Sequence, residues 1–489
     1  MSRFTPSRAF PAEDVVTWDL ETDVAIVGFG IAGTCAAIEA RLAGAKVDIF
    51  EVAAASGGSA AMSGGEFYLG GGTEVQKAAG FDDSVEDYAA YLKMMGGPGV
   101  DEARADLMAS EGVAHFHWLK QQGIPFKGTY LPGKWPEPPS DDTLIWCGSE
   151  TAWPFRDVAK PAPRGHTAQA EGRGAGALAM QILSERARTL GATAHFSTRV
   201  LCLVAERSGA VHGLVARIDG EPRFVRARKG VVLCAGGFIC NTDMVRRFAP
   251  LALTVNPYPI TAGNDDGAGI LMGQSVGGVV SHMEQFFATR TTYPPESLVK
   301  GIFVNEQGQR FINEDAYHGR VAQYCLRQSG QRAWLLLDNA TFGRPSSYPQ
   351  VEVAAVGETW AEVEAELGLP QGELVHTVEA YNRYAEAGHD PQFHKQPEWL
   401  QPLREAPFAA LNFCTSDYPV VTFTLGGLVT RTSGEVLDAT GEPVAGLYAA
   451  GRTTVGIPRW GDGYSSGSSL ADSSFFGRLA GRAAAGFAE

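Results

Sequence analysis

Between residues 23 and 51 the chain runs from an apolar strand, DVAIVGFG, through a glycine turn into a helix-periodic stretch and out along a second apolar strand. Gly28, Gly30 and Gly33 form a G-x-G-x-x-G series. Helical spacing follows through Cys35, Ile38 and Leu42 to a stop at Gly44, and the strand 46–50 ends at Glu51. Each piece has a task in a dinucleotide-binding βαβ unit. Gly28 permits the tight turn, Gly30 lets backbone approach a pyrophosphate, and Gly33 permits close helix–strand packing. The helix start aims N–H groups and a positive dipole end at phosphate. Glu51, about 20 residues past the glycines, can accept hydrogen bonds from ribose hydroxyls. A glycine series alone is weak evidence; its order with strand, helix, strand and acid makes it strong.

A chain of 489 residues exceeds one hydrophobic core, so at least two domains are expected. With 45% hydrophobic and 19% charged residues it reads as globular rather than disordered. A net charge of −15 without any basic tract argues against a nucleic-acid partner. The seven cysteines are irregularly spaced with no C-x-x-C pair, which suggests neither a disulfide framework nor a zinc site, and no metal is expected. The N-terminus lacks the apolar segment of a signal peptide, and no window approaches the ~20 apolar residues of a membrane span. A cytoplasmic protein with no integral membrane contact is therefore expected. A peripheral membrane contact for collecting an apolar substrate stays open.

The segments beyond this first unit favour FAD over NAD. Ser56-Gly57-Gly58-Ser59 and Ser63-Gly64-Gly65 suit contacts to a pyrophosphate and a flavin edge. The strand from Gly230 to Phe238 runs apolar into glycines, and Gly446 to Gly451 repeats that form. Gly467-Ser468-Ser469-Leu470 then opens an apolar helix through 471–485, whose N-terminus can stabilise negative charge at N1 and O2 of a reduced flavin. Cofactor contacts at both ends of the chain imply one domain interrupted by an insertion. The predicted class is α/β with an α+β cap: a Rossmann-type FAD-binding domain interrupted by a smaller catalytic domain. The candidate cofactor residues are Gly28, Gly30, Ala32, Gly33 and Glu51 in the first unit, then Gly58, Ser59, Ser63, Gly64 and Gly65. Val200, Ala235, Gly236 and Asp266 join them in mid-chain, and Gly451, Ser469 and Leu470 near the end.

The ordered segments DVAIVGFGIAGTCAAIEA, GGSAAMSGG, VVLCAGGF, GIFVNEQGQRFINE, TLGG and GLYAAGR resemble the fumarate reductase/3-ketosteroid dehydrogenase flavoprotein superfamily over nearly the whole chain. The resemblance implies an FAD domain built from 1–278 and 409–489, covered by a catalytic domain of 279–408. Some members carry the flavin covalently on a histidine in the GGSAAMSGG region. No histidine lies between residues 46 and 114 here, so noncovalent FAD is implied.

Fumarate-reducing members hold two carboxylates with arginines and a histidine, because charge-assisted, bidentate contacts suit that substrate. This chain departs at each matched place. After Asn313-Glu314 stand Asp315-Ala316-Tyr317-His318, with Arg320 further on. The histidine ahead of the TxGG segment is Phe423, and the arginine of the loop before the last helix falls at Tyr464. Charged clamps have become aromatic and hydroxyl groups, which suits a large apolar ketone. Tyr317, Tyr464 and Ser466 most resemble the Δ4-(5α) branch of ketosteroid dehydrogenases, since the Δ1 branch carries prolines where Gly463-Tyr464-Ser465-Ser466-Gly467 stands here. The implied reaction puts a C4–C5 double bond into a 5α-3-ketosteroid, by proton abstraction at C4 and hydride transfer from C5 to flavin N5, with an unidentified final electron acceptor. Tyr464 and Ser466 are assigned to proton abstraction or relay, and Tyr317 to the same hydroxyl network. Backbone N–H groups near Gly467 or Ser468 would polarise the ketone. A tyrosine of ordinary pKa near ~10 is a poor base at neutral pH, so its surroundings must help.

Plainer readings stand beside these. Tyr317 can simply pack a domain interface; His318 reads as a surface or supporting residue. Asp265 and Asp266 can cap a helix or meet the cofactor, and Arg452 can neighbour the cofactor or form a solvated salt bridge. The segment 121–165 fits neither helix nor strand period, and its Tyr130, Trp135, Trp146 and Trp153 can line a steroid pocket or merely staple a long loop, the pocket being favoured. A Δ1 dehydrogenase is the first alternative. A carboxylate reductase would need Arg290, Arg320 or Arg459 in the pocket, and a noncatalytic flavin- or sterol-binding protein would leave the last serine-rich loop purely structural.

Overall fold

A computed structural model describes residues 4–259 and 261–486. The strand Leu20–Val27, the helix Ile31–Leu42 and the strand Val47–Phe50 form the βαβ unit expected from the glycines. Both strands join a nine-stranded sheet in which Thr193–His195, Val47–Phe50, Leu20–Val27, the end of Glu221–Leu233 and Pro443–Ala449 lie parallel. The helices Ile31–Leu42, Ala175–Thr189 and Ser468–Ala484 cover one face of that parallel part and the strands Arg199–Ala205 and Val211–Ile218 pack on the other, so its strands read as unbroken apolar runs; Val24, Ala25 and Ile26 are fully buried. The register pairs Phe50 with His195, Val27 with Phe50 and Leu233, and Leu233 with Ala449. All five strands therefore end in line, and the glycine turns that succeed them open one crevice along the carboxyl edge. Beyond them the sheet continues antiparallel, with Val211–Ile218 between the first half of Glu221–Leu233 and Arg199–Ala205, and ends at Phe10–Pro11, parallel to Arg199–Ala205.

The C-terminal helix Ser468–Ala484 crosses Ile31–Leu42 at backbone contact. Cβ atoms at Gly477 or Gly481 would collide with the Ala32 and Ala36 carbonyls. The two ends of the chain are thus locked together beneath the crevice.

Above it stands a four-stranded antiparallel sheet ordered Ile302–Asn305, Ala333–Leu337, Phe408–Asn412, Val353–Gly357. Its period-2 pattern divides two cores. Ile302, Val304, Trp334, Leu336 and Ala410 meet the helices Trp360–Leu367 and Glu373–Glu386, while Phe303, Leu335, Leu337 and Leu411 meet the helix His318–Leu326. A three-stranded sheet links the two bodies: Pro419–Thr424 runs parallel to Asn256–Pro259 and antiparallel to Phe286–Thr289.

The segment 121–165 departs from its expected lack of strands. Tyr130–Lys134 and Leu144–Trp146 join Gly165–Thr167 and Glu66–Tyr68 in a small sheet. Trp146 Nε1 donates to the Tyr130 hydroxyl (2.7 Å), Trp135 Nε1 donates to Pro132 O (2.9 Å), and Trp153 packs on His394. Among the described residues, no helix is long and apolar enough to cross a membrane.

Candidate active site

The crevice holds a cavity of about 590 Å³ that runs from the βαβ turn to the underside of the upper sheet. Its first part is a phosphate cradle. Gly30 is the N-cap of the helix Ile31–Leu42 and no side chain caps that end, so the first-turn N–H groups face open space; a Cβ at Gly30 would meet nothing within 4 Å. Gly28, at φ 101°, presses so close to the Cys234 carbonyl that no side chain fits. Glu51 is buried, its carboxylate accepting from Phe29 N (2.7 Å) and Ala53 N (2.8 Å), which fixes it at the strand end facing the cavity. A backbone-lined cradle, an uncapped helix start and an acid at the next strand end fit a dinucleotide such as FAD.

Of the sequence candidates, Gly28, Gly30, Ala32 and Glu51 line the cavity, as do Gly58, Ser59, Ser63 and Gly64. Val200, Ala235, Gly236 and Asp266 line its middle, and Gly451, Ser469 and Leu470 its far wall. Gly33 and Gly65 lie outside the lining. Gly33 sits against the Gly28 carbonyl, the helix–strand contact expected of it, and Gly65 sits against Ala175 and Gly176. Asp266 divides its carboxylate between the Ala268 N–H (3.0 Å), as a helix cap, and Arg199 (2.6 Å). Asp265 instead pairs with Arg452 (2.7 Å). Arg452 also donates to Ser59 Oγ (2.8 Å) and lies over Phe423 at 5.3 Å, so its ion pair is largely buried and ties three cavity-lining segments together.

The second part of the cavity is an aromatic box. Phe287 stands 4.2 Å from Tyr464 and 6.3 Å from Tyr317 between ring centroids, and Phe423 stands 5.0 Å from Phe287. The register that pairs Phe287 with Phe423 puts both side chains on one face of the linking sheet. Tyr317 is held from behind. Glu314 binds Arg310 (2.9 Å) and Lys395 (3.2 Å), Asp390 binds Arg310 (3.1 Å), and the Tyr317 N–H donates to Ser149 Oγ (3.1 Å). The Tyr464–Gly467 loop is pinned from several sides. The Ser466 N–H donates to Cys147 O (2.8 Å), Ser465 Oγ meets the Tyr91 hydroxyl (2.9 Å), and Tyr68 N donates to Gly467 O (3.1 Å).

The structure brings Tyr317, Tyr464 and Ser466 together, but as two hydroxyl pairs rather than one network. The Tyr317 hydroxyl lies 2.8 Å from Ser466 Oγ, whereas Tyr464 donates to Ser469 Oγ (3.0 Å) in the first turn of the last helix. Both tyrosines are buried, and burial raises both phenols above their ordinary pKa; the serine hydrogen bonds, and for Tyr464 the Arg452 charge, act the other way. In these surroundings both phenols hold their protons. His318 is buried against Tyr317 (4.1 Å between rings), with Nδ1 2.5 Å from Thr289 Oγ1. Burial, aided by Lys134, pushes it down to about 3, so it is a neutral imidazole.

Other expectations are displaced. Tyr130, Trp135, Trp146 and Trp153 are absent from the lining, and their segment supplies Pro136 and Glu137 instead. Arg320 is given to Asp462 O and the Tyr324 hydroxyl, and Arg459 to His282. Arg290 does line the cavity, yet its guanidinium is stacked on Tyr418 at 3.7 Å and Phe413 at 4.4 Å. Sequence reasoning missed Phe287, Thr289 and Glu66; only the adjacency of Glu66 to Ser63-Gly64-Gly65 signalled any of them.

The FAD binding domain family matches residues 23–467. A crystal structure of 3-ketosteroid-delta4-(5alpha)-dehydrogenase from Rhodococcus jostii RHA1, in complex with 4-androstene-3,17-dione, is 41% identical, with a TM-score of 0.92 over 98% of this chain and 99% of that one. The 3-oxo-5-alpha-steroid 4-dehydrogenase of Comamonas testosteroni is 29% identical over 502 residues, 90% of this chain and 94% of its own length. A fumarate reductase (cytochrome) of Shewanella frigidimarina is 27% identical over 482 residues, 96% of this chain and 77% of its own.

Proposed function

This chain belongs to the FAD binding domain family and is an FAD-dependent oxidoreductase, and from that premise we propose that it dehydrogenates a 5α-3-ketosteroid between C4 and C5. The observation that carries the reading is the pair of buried tyrosines, each bonded to a serine of one helix-start loop, inside an aromatic box. Phenol and hydroxyl groups stand where the resemblance places a carboxylate clamp, and Arg320 and Arg459 are committed elsewhere. The similarity to two dehydrogenases named for this reaction supports the same substrate class.

In the proposed reaction the steroid lies in the box with its ketone toward the start of the last helix. The Ser468 N–H is already given to Ser465 O (3.2 Å), so the Gly467 N–H is the backbone donor we assign to the ketone oxygen. Polarising that oxygen acidifies C4–H. Tyr464 acts as the phenolate: once its hydroxyl proton has left to solvent by way of Ser469, its oxygen takes the C4 proton, and the electron pair left on C4 becomes the second C4–C5 bond. Tyr464 is preferred over Tyr317 because Arg452, Ser468 and Ser469 all favour negative charge on it. Tyr317 and Ser466 act as a neutral pair that orients the ring. Bound FAD supplies the two-electron acceptor for the C5 hydrogen and its bonding pair. We propose that FAD is held noncovalently by 1–278 and 409–489 with 279–408 as the covering domain. The pairing of Phe408–Asn412 with Ala333–Leu337 supports moving the second boundary past Asn412.

Anaerobic mixing with a saturated 5α-3-ketosteroid tests the reading: the flavin should bleach and a C4–C5 alkene should form. A C1–C2 alkene would replace it with the Δ1 reaction. Fumarate reduction by a reduced dye, with no steroid oxidation, would remove it.

A further inference from the structure

Among the acids of the cavity wall that the proposed reaction does not use, Glu66 is buried with a carboxyl oxygen unpaired. Glu66 opens the strand Glu66–Tyr68, paired with Thr167, and is 5% exposed. It lines the cavity, yet Oε1 has no hydrogen-bond partner. A buried carboxyl oxygen left unpaired has lost its hydration with nothing in exchange, so such a group calls for a partner the chain does not itself supply. Two cofactor loops close on this side chain. A Cβ at Gly64 would fall on its carboxyl group, and one at Gly467 would lie 2.9 Å from its Cβ. In the aromatic box Phe287 and Phe423 come instead from the linking-sheet strands Phe286–Thr289 and Pro419–Thr424, while Tyr464 shares the loop that ends at Gly467.

We propose that Glu66 is a positioning residue for the cofactor, hydrogen-bonding the edge of the FAD ring system between the Ser63-Gly64 turn and the start of the last helix. The titratable groups that face it are Glu137, from the neighbouring segment, and Cys147, whose thiol donates to Ser466 O (3.1 Å). Burial, with Glu137 adding to it, pushes Glu66 up to about 7, so as pH falls below that value it carries a proton it can donate to a ring acceptor. The inference depends on FAD binding and not on the steroid, so its primary readouts, affinity and spectrum, need no substrate.

FAD affinity and the visible flavin spectrum would be measured for wild type, Glu66→Gln and Glu66→Ala holoenzymes. Glu66→Gln keeps a donor and should bind FAD within about threefold of wild type, whereas Glu66→Ala should bind about tenfold more weakly with shifted flavin bands. Between pH 6 and 8 the wild-type spectrum should show a transition that Glu66→Gln lacks, a reading that stands even if Glu66→Ala does not fold. Identical spectra and pH behaviour in wild type and Glu66→Gln, with unchanged FAD affinity in a folded Glu66→Ala, would overturn the proposal. A steroid KM that rises in Glu66→Ala while affinity and spectrum stay constant would also overturn it, by placing the carboxyl against substrate.

Discussion

At Tyr464 one oxygen atom is expected to carry most of the chemistry and little of the fold. Tyr464→Phe keeps the ring against Phe287 and removes one hydrogen bond to Ser469, worth about 1 kcal/mol. Flavin reduction by a 5α-3-ketosteroid should nonetheless fall ~10²–10⁴-fold in stopped flow, the range for a general acid–base group. Tyr317→Phe and Ser466→Ala should slow it less, because their pair orients and does not accept the proton. Glu51 behaves differently. Glu51→Ala frees the Phe29 and Ala53 N–H groups as well as removing the acceptor proposed for the ribose, so FAD retention on gel filtration should drop while turnover at saturating FAD stays near wild type. Which residues line the cavity was largely legible from the sequence. Their pairing was not, since the Tyr464 bond to Ser469 depends on a rotamer and a loop path set by contacts hundreds of residues away.

Among elements, the crossing of Ile31–Leu42 with Ser468–Ala484 determines where the cofactor cradle meets the hydroxyl loop. Gly477 and Gly481 stand one turn apart on the face that meets Ala32 and Ala36. A Gly481→Val side chain would drive into the Ala36 carbonyl, where backbone cannot yield cheaply. Chemical denaturation should show a loss of about 1–3 kcal/mol, and FAD should be held more weakly because both helix starts shift. The strand–glycine–helix pattern revealed each element separately. The small sheet within 121–165 escaped that reading because its strands, Tyr130–Lys134 and Leu144–Trp146, are too short to show a period and are stabilised by partners distant in sequence.

For the molecule as a whole, buried neutral histidines make stability depend on pH. Burial holds His166 down to about 4 and His318 down to about 3, whereas both would titrate near 6.5 in the unfolded chain. The unfolded state therefore gains protons first as the solution is acidified. The contribution of each ring is complete above pH 6.5 and declines as pH falls toward its folded value. Buried Glu66 works in the opposite sense, having been raised to about 7. A subtraction isolates the histidine: between pH 7.5 and 5, wild type should lose about 2 kcal/mol more stability in urea than His318→Gln, at about 1.4 kcal/mol per pH unit below 6.5. Acid precipitation should release the yellow cofactor into the supernatant; colour retained in the washed pellet would show a covalent link.

The sequence by itself determined the dinucleotide unit, the order of the cofactor segments and the replacement of charged clamps by hydroxyl and aromatic groups. Each of these is local: a glycine where no side chain fits, an acid at a strand end, a tyrosine in place of an arginine. Only the tertiary structure decided which hydroxyls pair, that Arg452 is neutralised by Asp265, that His318 is buried and neutral, and that Glu66 stands unpartnered in the cavity wall. Those outcomes depend on which segments the sheet register and the helix crossing bring face to face, and on the burial that results, and neither is encoded within any one stretch of chain.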